Sequence, residues 1–336
     1  MKGPARAGPF CFRRGIPKAS RYTLGSSQCA VLKYVIRRLL LIIPTMFFVA
    51  LITFTLAHAA PGSPFDRNAN RPMTQETIDR INRYYGVDKP IPEQFVIYMG
   101  NVLRGDLGLS FTRQRPVVDI IGQGIGTTFQ LGIGALVFAL AFSIPLGIVS
   151  ALKQNSLVDY LSMLVATIGT TIPGFVLAIF LIYIFGVGLH LLPFVGWGSW
   201  QHMVMPMFVL GLGAGGFLTR ITRASMLEAI RQDYVRTARS KGLQERAVIV
   251  GHALKNALIP VATIIGPATA GLITGSFIIE SLFNVPGMGR LYVTSILARD
   301  YPVIMGTTLL YAFLIMVANL TVDIMYGILD PRIKVR

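Results

Sequence analysis

A helix that crosses a lipid bilayer needs about 20 predominantly apolar residues, and this chain holds six stretches that meet the demand. They are LLLIIPTMFFVALITFTLAHA (39–59), TTFQLGIGALVFALAFSIPLGIVSA (127–151), about 161–186, about 203–222, LIPVATIIGPATAGLITGSFIIESL (258–282) and about 303–327. In hydrocarbon each backbone N–H and C=O must be satisfied within the segment, so these runs are read as helices. Six of them in 336 residues predict an all-α, multi-pass membrane protein. With 14% of residues charged, the chain has too few charges to cover a soluble domain of this length.

Lys and Arg collect on the cytoplasmic side of membrane proteins, and this sets the orientation. Residues 1–38 carry nine basic residues and no acid. Residues 220–257 carry eight basic and three acidic, and the tail 328–336 three and one. The alternate loops differ: 60–126 holds eight basic against seven acidic, 187–202 has no charge, and 283–302 holds Arg290, Arg299 and Asp300. The count places both termini and residues 223–257 in the cytoplasm. The net charge of +16 then faces anionic lipid headgroups. Basic–aromatic surface motifs are absent, so no nucleic-acid partner is expected.

Residues 1–33, rich in Gly, Pro, Ser and Arg, read as a disordered extension. Ala57-His58-Ala59 has the form of a signal-peptidase site, but the preceding run exceeds the usual signal-peptide length of about 7–15 residues. A retained anchor helix is expected. Within loop 60–126, Ile78, Ile81, Tyr84 and Tyr85 recur at helical spacing behind Thr74, which predicts a small extracytoplasmic helix over 73–87. RPVVDII (115–121) reads as an amphipathic lead-in to the second span.

Screening for chemistry finds no nucleotide-cradling loop and no zinc-binding helix. Cys11 and Cys29 lack metal-ligand spacing, and His58, His190, His202 and His252 are scattered. No catalytic residue, cofactor or metal site is assigned, and the chain does not read as an enzyme. Ionisable groups inside spans mark function by default. They are Glu280, near the outer end of the fifth span, and Asp323, near the inner end of the sixth, one turn after Asn319. Helix–helix hydrogen bonding is the preferred reading of both sites; a polar patch on a substrate path is the alternative. Many glycines and prolines interrupt the spans, among them Gly132, Pro145, Gly147, Gly169, Pro173, Gly211 and Gly216. Small residues permit close helix approach, and the same residues suit helices that shift around a pathway.

The cytoplasmic stretch DYVRTARSKGL (233–243) stands out for its Arg236, Arg239 and Lys241. Tyr234, Val235, Ala238, Gly242 and Leu243 fall at i, i+1, i+4, i+8 and i+9, one face of a helix, with the basic residues largely elsewhere. Gly242 suits the C-terminal cap. A short amphipathic helix of this kind needs an apolar host, either the membrane surface or a groove on another protein.

These residues resemble the coupling loop of permease subunits of ATP-binding-cassette (ABC) importers. The broad family begins that loop with Glu-Ala-Ala; here the aligned triplet is Arg236-Thr237-Ala238, followed by Gly242. The missing glutamate and the longer gap to Ile259-Pro260 match the peptide-and-nickel branch, whose loop reads Asp-Tyr/Phe-x-Arg-Thr-Ala-Arg-x-Lys-Gly-Leu. APGSP (60–64), GDLGLSF (105–111), RPV (115–117), HALKNALIPV (252–261), ESLFNVPGMGRL (280–291), RDYPV (299–303) and LDPRIK (329–334) are similar to the same branch. The resemblance covers about 34–336; the first 33 residues are either a genuine extension or translation from an upstream start.

The resemblance implies a type I ABC importer permease fold with six transmembrane helices and cytoplasmic N- and C-termini, in the inner or plasma membrane. The first helix and its outer loop occupy 34–126, a five-helix core 127–327, and the coupling loop 223–257. It implies a second homologous permease, two cytoplasmic ATPase subunits that bind ATP and Mg, and an extracytoplasmic solute-binding protein. It implies a peptide-like substrate, oligopeptide or dipeptide, with a nickel chelate as the alternative. Asp233, Tyr234, Arg236, Thr237, Ala238, Arg239, Lys241, Gly242 and Leu243 would form the ATPase-coupling loop. Glu280, Phe283, Pro286, Gly287 and Gly289 would lie near an outer gate or pathway, and Asn319 with Asp323 would form an intramembrane polar pair. A stand-alone ion-coupled carrier or channel is the rival class, and the sequence lacks a filter or a chain of buried acids to support it.

Overall fold

The computed structural model describes the backbone over residues 24–59, 84, 86 and 89–329, and side chains over 35–59, 84, 86 and 89–324. APGSP and nearly all of the helix expected over 73–87 lie outside those residues, as do residues 1–23 and 330–336.

Eleven helices are numbered here in chain order. They are α1 (Leu24–Ala59), α2 (Ile91–Leu103), α3 (Val117–Leu152), α4 (Leu157–Thr171), α5 (Gly174–Leu181, continuing through a π-helical turn Ile182–Gly188) and α6 (Trp200–Ile230). Then follow α7 (Asp233–Ser240), α8 (Leu254–Ile273, entered from a helical turn Glu245–Val248 and a π-helical turn Ile249–Ala253), α9 (Phe277–Leu282), α10 (Met288–Ala298) and α11 (Tyr301–Leu329). The all-helical expectation holds among the described residues. Helix α1 reaches back to Leu24, into the stretch read as disordered. Composition alone missed that Leu24–Val35 runs without a break into the apolar segment. Helix α3 starts at Val117, so the amphipathic lead-in is the first turn of the span itself.

Five described helical segments are long and apolar enough to cross a membrane, and the sixth expected span is a bent pair. The expected helix 161–186 is two helices, α4 and α5, meeting at 110°. The break sits at Ile172-Pro173. Ile172 is extended (ψ 124°), as a residue before proline prefers, and helix α5 restarts with Pro173 as its N-cap. The pair still makes one net crossing. Helices α3 and α6 run parallel, since Ala135, Ala139 and Gly147 of α3 meet Gly211, Gly215 and Thr222 of α6 in that order. Two parallel neighbours require the intervening chain to return across the bundle, and α4 does so antiparallel to α6, Gly169 against Leu212 and Ala166 against Gly216.

The expected span 258–282 is also interrupted. Helix α8 stops at Ile273, and Gly275, at φ +75°, turns the chain into α9. Helices α9 and α10 then pack against the end of the bundle where α3 begins, Gly287 against Gly124. Helix α11 returns beside α1, with Met305 and Leu309 packed on Ala50 and Phe54. One end of the bundle therefore carries α7 and the loop after α3; the opposite end carries α9, α10 and the segment 104–116.

Glycines set the interhelical distances. A methyl group added at Gly169 would lie 2.6 Å from the Leu212 carbonyl oxygen, and one at Gly211 would lie 2.7 Å from that of Ala135. Backbones approach this closely only where a side chain is absent, which is how membrane helices pack without a hydrophobic drive between them.

Candidate functional site

Helix α7 stands at its end of the bundle on two residues. Val235 and Ala238 are buried in a cluster with Ala151 of α3, Met226 and Ala229 of α6, and Val248, Ala253 and Ala257 at the entry to α8. The remaining positions of 231–247 are exposed. The face expected from periodicity therefore divides. Its inner half is covered by the chain itself, and Ala238 does not point to an outside host. Tyr234 and Leu243, at 39% and 44% exposure, are the apolar groups left on the surface. Arg236, Thr237, Lys241 and Gly242 are exposed around them, and Arg236 lies 3.7 Å from Asp233.

The loop after α7 is fixed by its own chemistry. Lys241 forms the C-cap, and Gly242 takes φ +75°, the left-handed position that closes a helix C-terminus. Its N–H donates to the Arg239 carbonyl at 2.9 Å. A Cβ at Gly242 would meet nothing within 4 Å, so its backbone conformation, not space, selects glycine. Arg239 makes a forked pair with Glu245 at 2.6 and 3.0 Å across the turn.

Behind α7, Asp159 of α4 is buried and accepts from Arg223 of α6, from Ser150 of α3 and from the Asn155 N–H. One carboxylate thus joins three helices just above the α7 platform.

At the opposite end two further buried carboxylates organise the chain. Glu280 is 0% exposed; it accepts from Thr128 Oγ1 on α3 and from the Gly289 and Arg290 N–H groups in the first turn of α10. An anion at a helix N-terminus satisfies donors that have no partner inside the helix. Of the expected gate residues, Glu280, Phe283, Gly287 and Gly289 are buried, while Pro286 is exposed. Phe283 packs with Ala178, Met205, Val209, Ile279 and Val285. Glu280 therefore faces protein rather than an open path. Asp300, 2% exposed, accepts from Ser110 Oγ and from the Phe111 and Thr112 N–H groups. It holds the segment before α3 onto the start of α11.

Asp323 of the expected Asn319–Asp323 pair has an ion-pair partner on another helix. Asp323 meets Arg38 of α1 at 3.1 Å, and Asn319 is exposed. No group of three or more His, Cys, Asp or Glu residues among the described residues could hold a metal ion.

The chain matches the family model "Binding-protein-dependent transport system inner membrane component" over residues 143–335. The chain belongs to this family. The corresponding N-terminal family model matches residues 31–132. Similar proteins include the dipeptide transport system permease protein DppB of Bacillus subtilis (strain 168), 41% identical over 90% of this chain and 98% of that protein. The glutathione transport system permease protein GsiC of Shigella flexneri serotype 5b is also 41% identical, over 90% and 99%. DppB of Lactococcus lactis subsp. cremoris is 38% identical, over 90% and 100%. The protein is an inner membrane permease subunit of the ABC importer class.

As a binding-protein-dependent permease, the chain gives its sequence motifs a structural cause. GDLGLSF and RDYPV meet through Asp300, and ESLFNVPGMGRL closes on itself through Glu280. Sequence reading missed Asp159, Arg223 and Asp300. Asp159 and Asp300 each sit one or two residues from a helix boundary, where a charge reads as a loop residue. For Asp159 the signal available was an acid three residues after Ser156, a common capping pattern; Asp300, between Arg299 and Tyr301, carries no such mark.

Proposed function

We propose that this chain forms half of the translocation pathway of an ATP-driven importer of small peptides. A second homologous permease completes the pathway, two cytoplasmic ATPase subunits carrying ATP and Mg drive it, and an extracytoplasmic binding protein delivers the substrate. The excess of Lys and Arg supports a cytoplasmic position for α7, both termini and residues 223–257. The opposite end, with α9, α10 and segment 104–116, then faces the binding protein.

One observation carries the mechanism: α7 is anchored by Val235 and Ala238 to α3, α6 and the entry of α8 at once. An ATPase subunit gripping Tyr234, Leu243 and the surrounding cations would move those three helices as a unit. Asp159 and Arg223 extend the unit to α4. The bends at Ile172-Pro173 and Gly275 then separate the part that moves with α7 from the part that packs at the outer end. Closure of the ATPase pair shifts the population between inward-open and outward-open states.

The peptide substrate is supported by near-full-length identity of 41% to permeases whose names specify dipeptide and glutathione. The test is uptake of a radiolabelled dipeptide by proteoliposomes containing both permeases and ATPases, with binding protein outside and ATP inside. ATP-dependent uptake is expected. Uptake of a nickel chelate but no peptide would overturn the substrate, and transport by this chain alone without ATP would overturn the class.

A further inference from the structure

At the outer end a cleft of about 320 Å³ opens between the start of α3 and the first turns of α10. Arg113 and Arg290 both line it, from separate elements, together with Gln123 and Thr294. Ile120 and Leu291 supply apolar wall, and no acidic residue lines the cleft. Neither guanidinium makes an ion pair among the described residues.

Both arginines are held at the backbone. The Arg290 N–H donates to Glu280 Oε2, and the Arg113 N–H donates to Ser110 Oγ, itself hydrogen-bonded to Asp300. The two buried acids of this end, Glu280 and Asp300, are spent inward on backbone and hydroxyl donors. Two cations are left facing one concavity. Like charges placed together repel, and an incoming anion relieves the repulsion. Guanidinium groups match the planar carboxylate, to which they donate charge-assisted hydrogen bonds. The volume falls at the lower end of the range of small-ligand sites, about 300–1,000 Å³.

We propose that this cleft binds the C-terminal carboxylate of the peptide as it leaves the binding protein, with Arg113 and Arg290 as the recognising groups. The inference rests on the peptide-importer reading above. An unmodified linear peptide carries that carboxylate whatever its side chains, so the site would orient such substrates without selecting among them. Gln123 and Thr294 add polar contacts, and Ile120 and Leu291 lie against the residue bearing the carboxylate.

The test uses the assembled permease–ATPase complex in nanodiscs, without binding protein. Binding of labelled Ala-Ala and of its C-terminal amide is measured by saturation-transfer NMR at millimolar concentration. Wild type is expected to bind the free acid about tenfold or more tightly than the amide. The Arg113→Gln/Arg290→Gln double variant is expected to lose that preference while keeping assembly and basal ATP hydrolysis. Equal binding of acid and amide by wild type would overturn the proposal, as would a double variant that still discriminates. A double variant with unchanged peptide binding but weakened docking of the binding protein would assign the arginines to the protein contact and also overturn it. Uptake by the wild-type complex with binding protein is run beside these. Failure of all peptide uptake sinks the importer reading, whereas uptake without carboxylate discrimination sinks only the cleft.

Discussion

Arg223 donates to both carboxylate oxygens of Asp159 at 2.7 Å, across the contact between α6 and α4. The acid side chain is 3% exposed and the arginine 24%. Removing one member of a buried pair strands the other charge, at a cost of about 3–5 kcal/mol, whereas replacing both with apolar groups costs far less. Asp159→Ala is therefore expected to lower the thermal stability of the purified complex more than Asp159→Leu/Arg223→Met does. Transport should follow a different order. The double variant should stay folded yet lose uptake per ATP hydrolysed, since α4 is no longer tied to the α7 platform. Equal coupling ratios in wild type and double variant would refute the linkage.

The two faces of α7 make separable predictions. Val235, 0% exposed, belongs to the chain's own core. Val235→Asp buries an unpaired carboxylate and is expected to abolish accumulation of the protein in the membrane. Tyr234→Ala and Leu243→Ala remove exposed apolar groups only. They should leave membrane levels unchanged while reducing co-purification of the ATPase subunits several-fold. Normal ATPase recovery in the Tyr234→Ala/Leu243→Ala double variant would remove these residues from the interface.

Gly242 isolates a backbone effect. Any L-residue at φ +75° is strained by about 1–2 kcal/mol, with Asn tolerated best. No neighbour lies within reach of a Cβ there. Gly242→Ala should therefore impair ATPase-stimulated uptake more than Gly242→Asn does, although Asn carries the larger side chain. The comparison is made on uptake at matched protein levels. The reverse ranking would point to crowding by a docked partner instead.

The spans were legible because hydrocarbon enforces long apolar runs. Their interruptions were less so. Pro173 and Gly275 are visible in the sequence, but proline and glycine also occur inside unbroken spans, as Pro145 in α3 and Pro206 in α6 show. Only the packing partners decide which of them bends the chain. The α7 face was half legible. Helical spacing grouped Tyr234, Val235, Ala238, Gly242 and Leu243, but the helix ends at Ser240, so the later two positions leave its wheel. Two buried carboxylates, Asp159 and Asp300, were hidden for a different reason. Their partners Arg223 and Ser110 are distant in sequence, and a charge beside a helix end carries no mark of its burial. Glu280, by contrast, stood out because it falls inside an apolar run.

Asp300 carries the last prediction. It accepts from three donors of segment 110–112, and the Val117 N–H bonds the Gly108 carbonyl just beyond. With Asp300 replaced by Ala, two backbone N–H groups and a buried hydroxyl lose their acceptor, at about 1–3 kcal/mol for each group left unsatisfied. The segment should then open locally without global unfolding, because the α3–α6 packing is untouched. Hydrogen exchange of residues 108–116 is expected to accelerate at least tenfold in Asp300→Ala, with residues 233–248 unchanged at the far end of the bundle. Asp300→Asn keeps an acceptor oxygen for only some of the donors and should fall between Ala and wild type. Uniform acceleration along the whole chain would instead make Asp300 a determinant of global stability and remove it as a local clamp on the segment before α3.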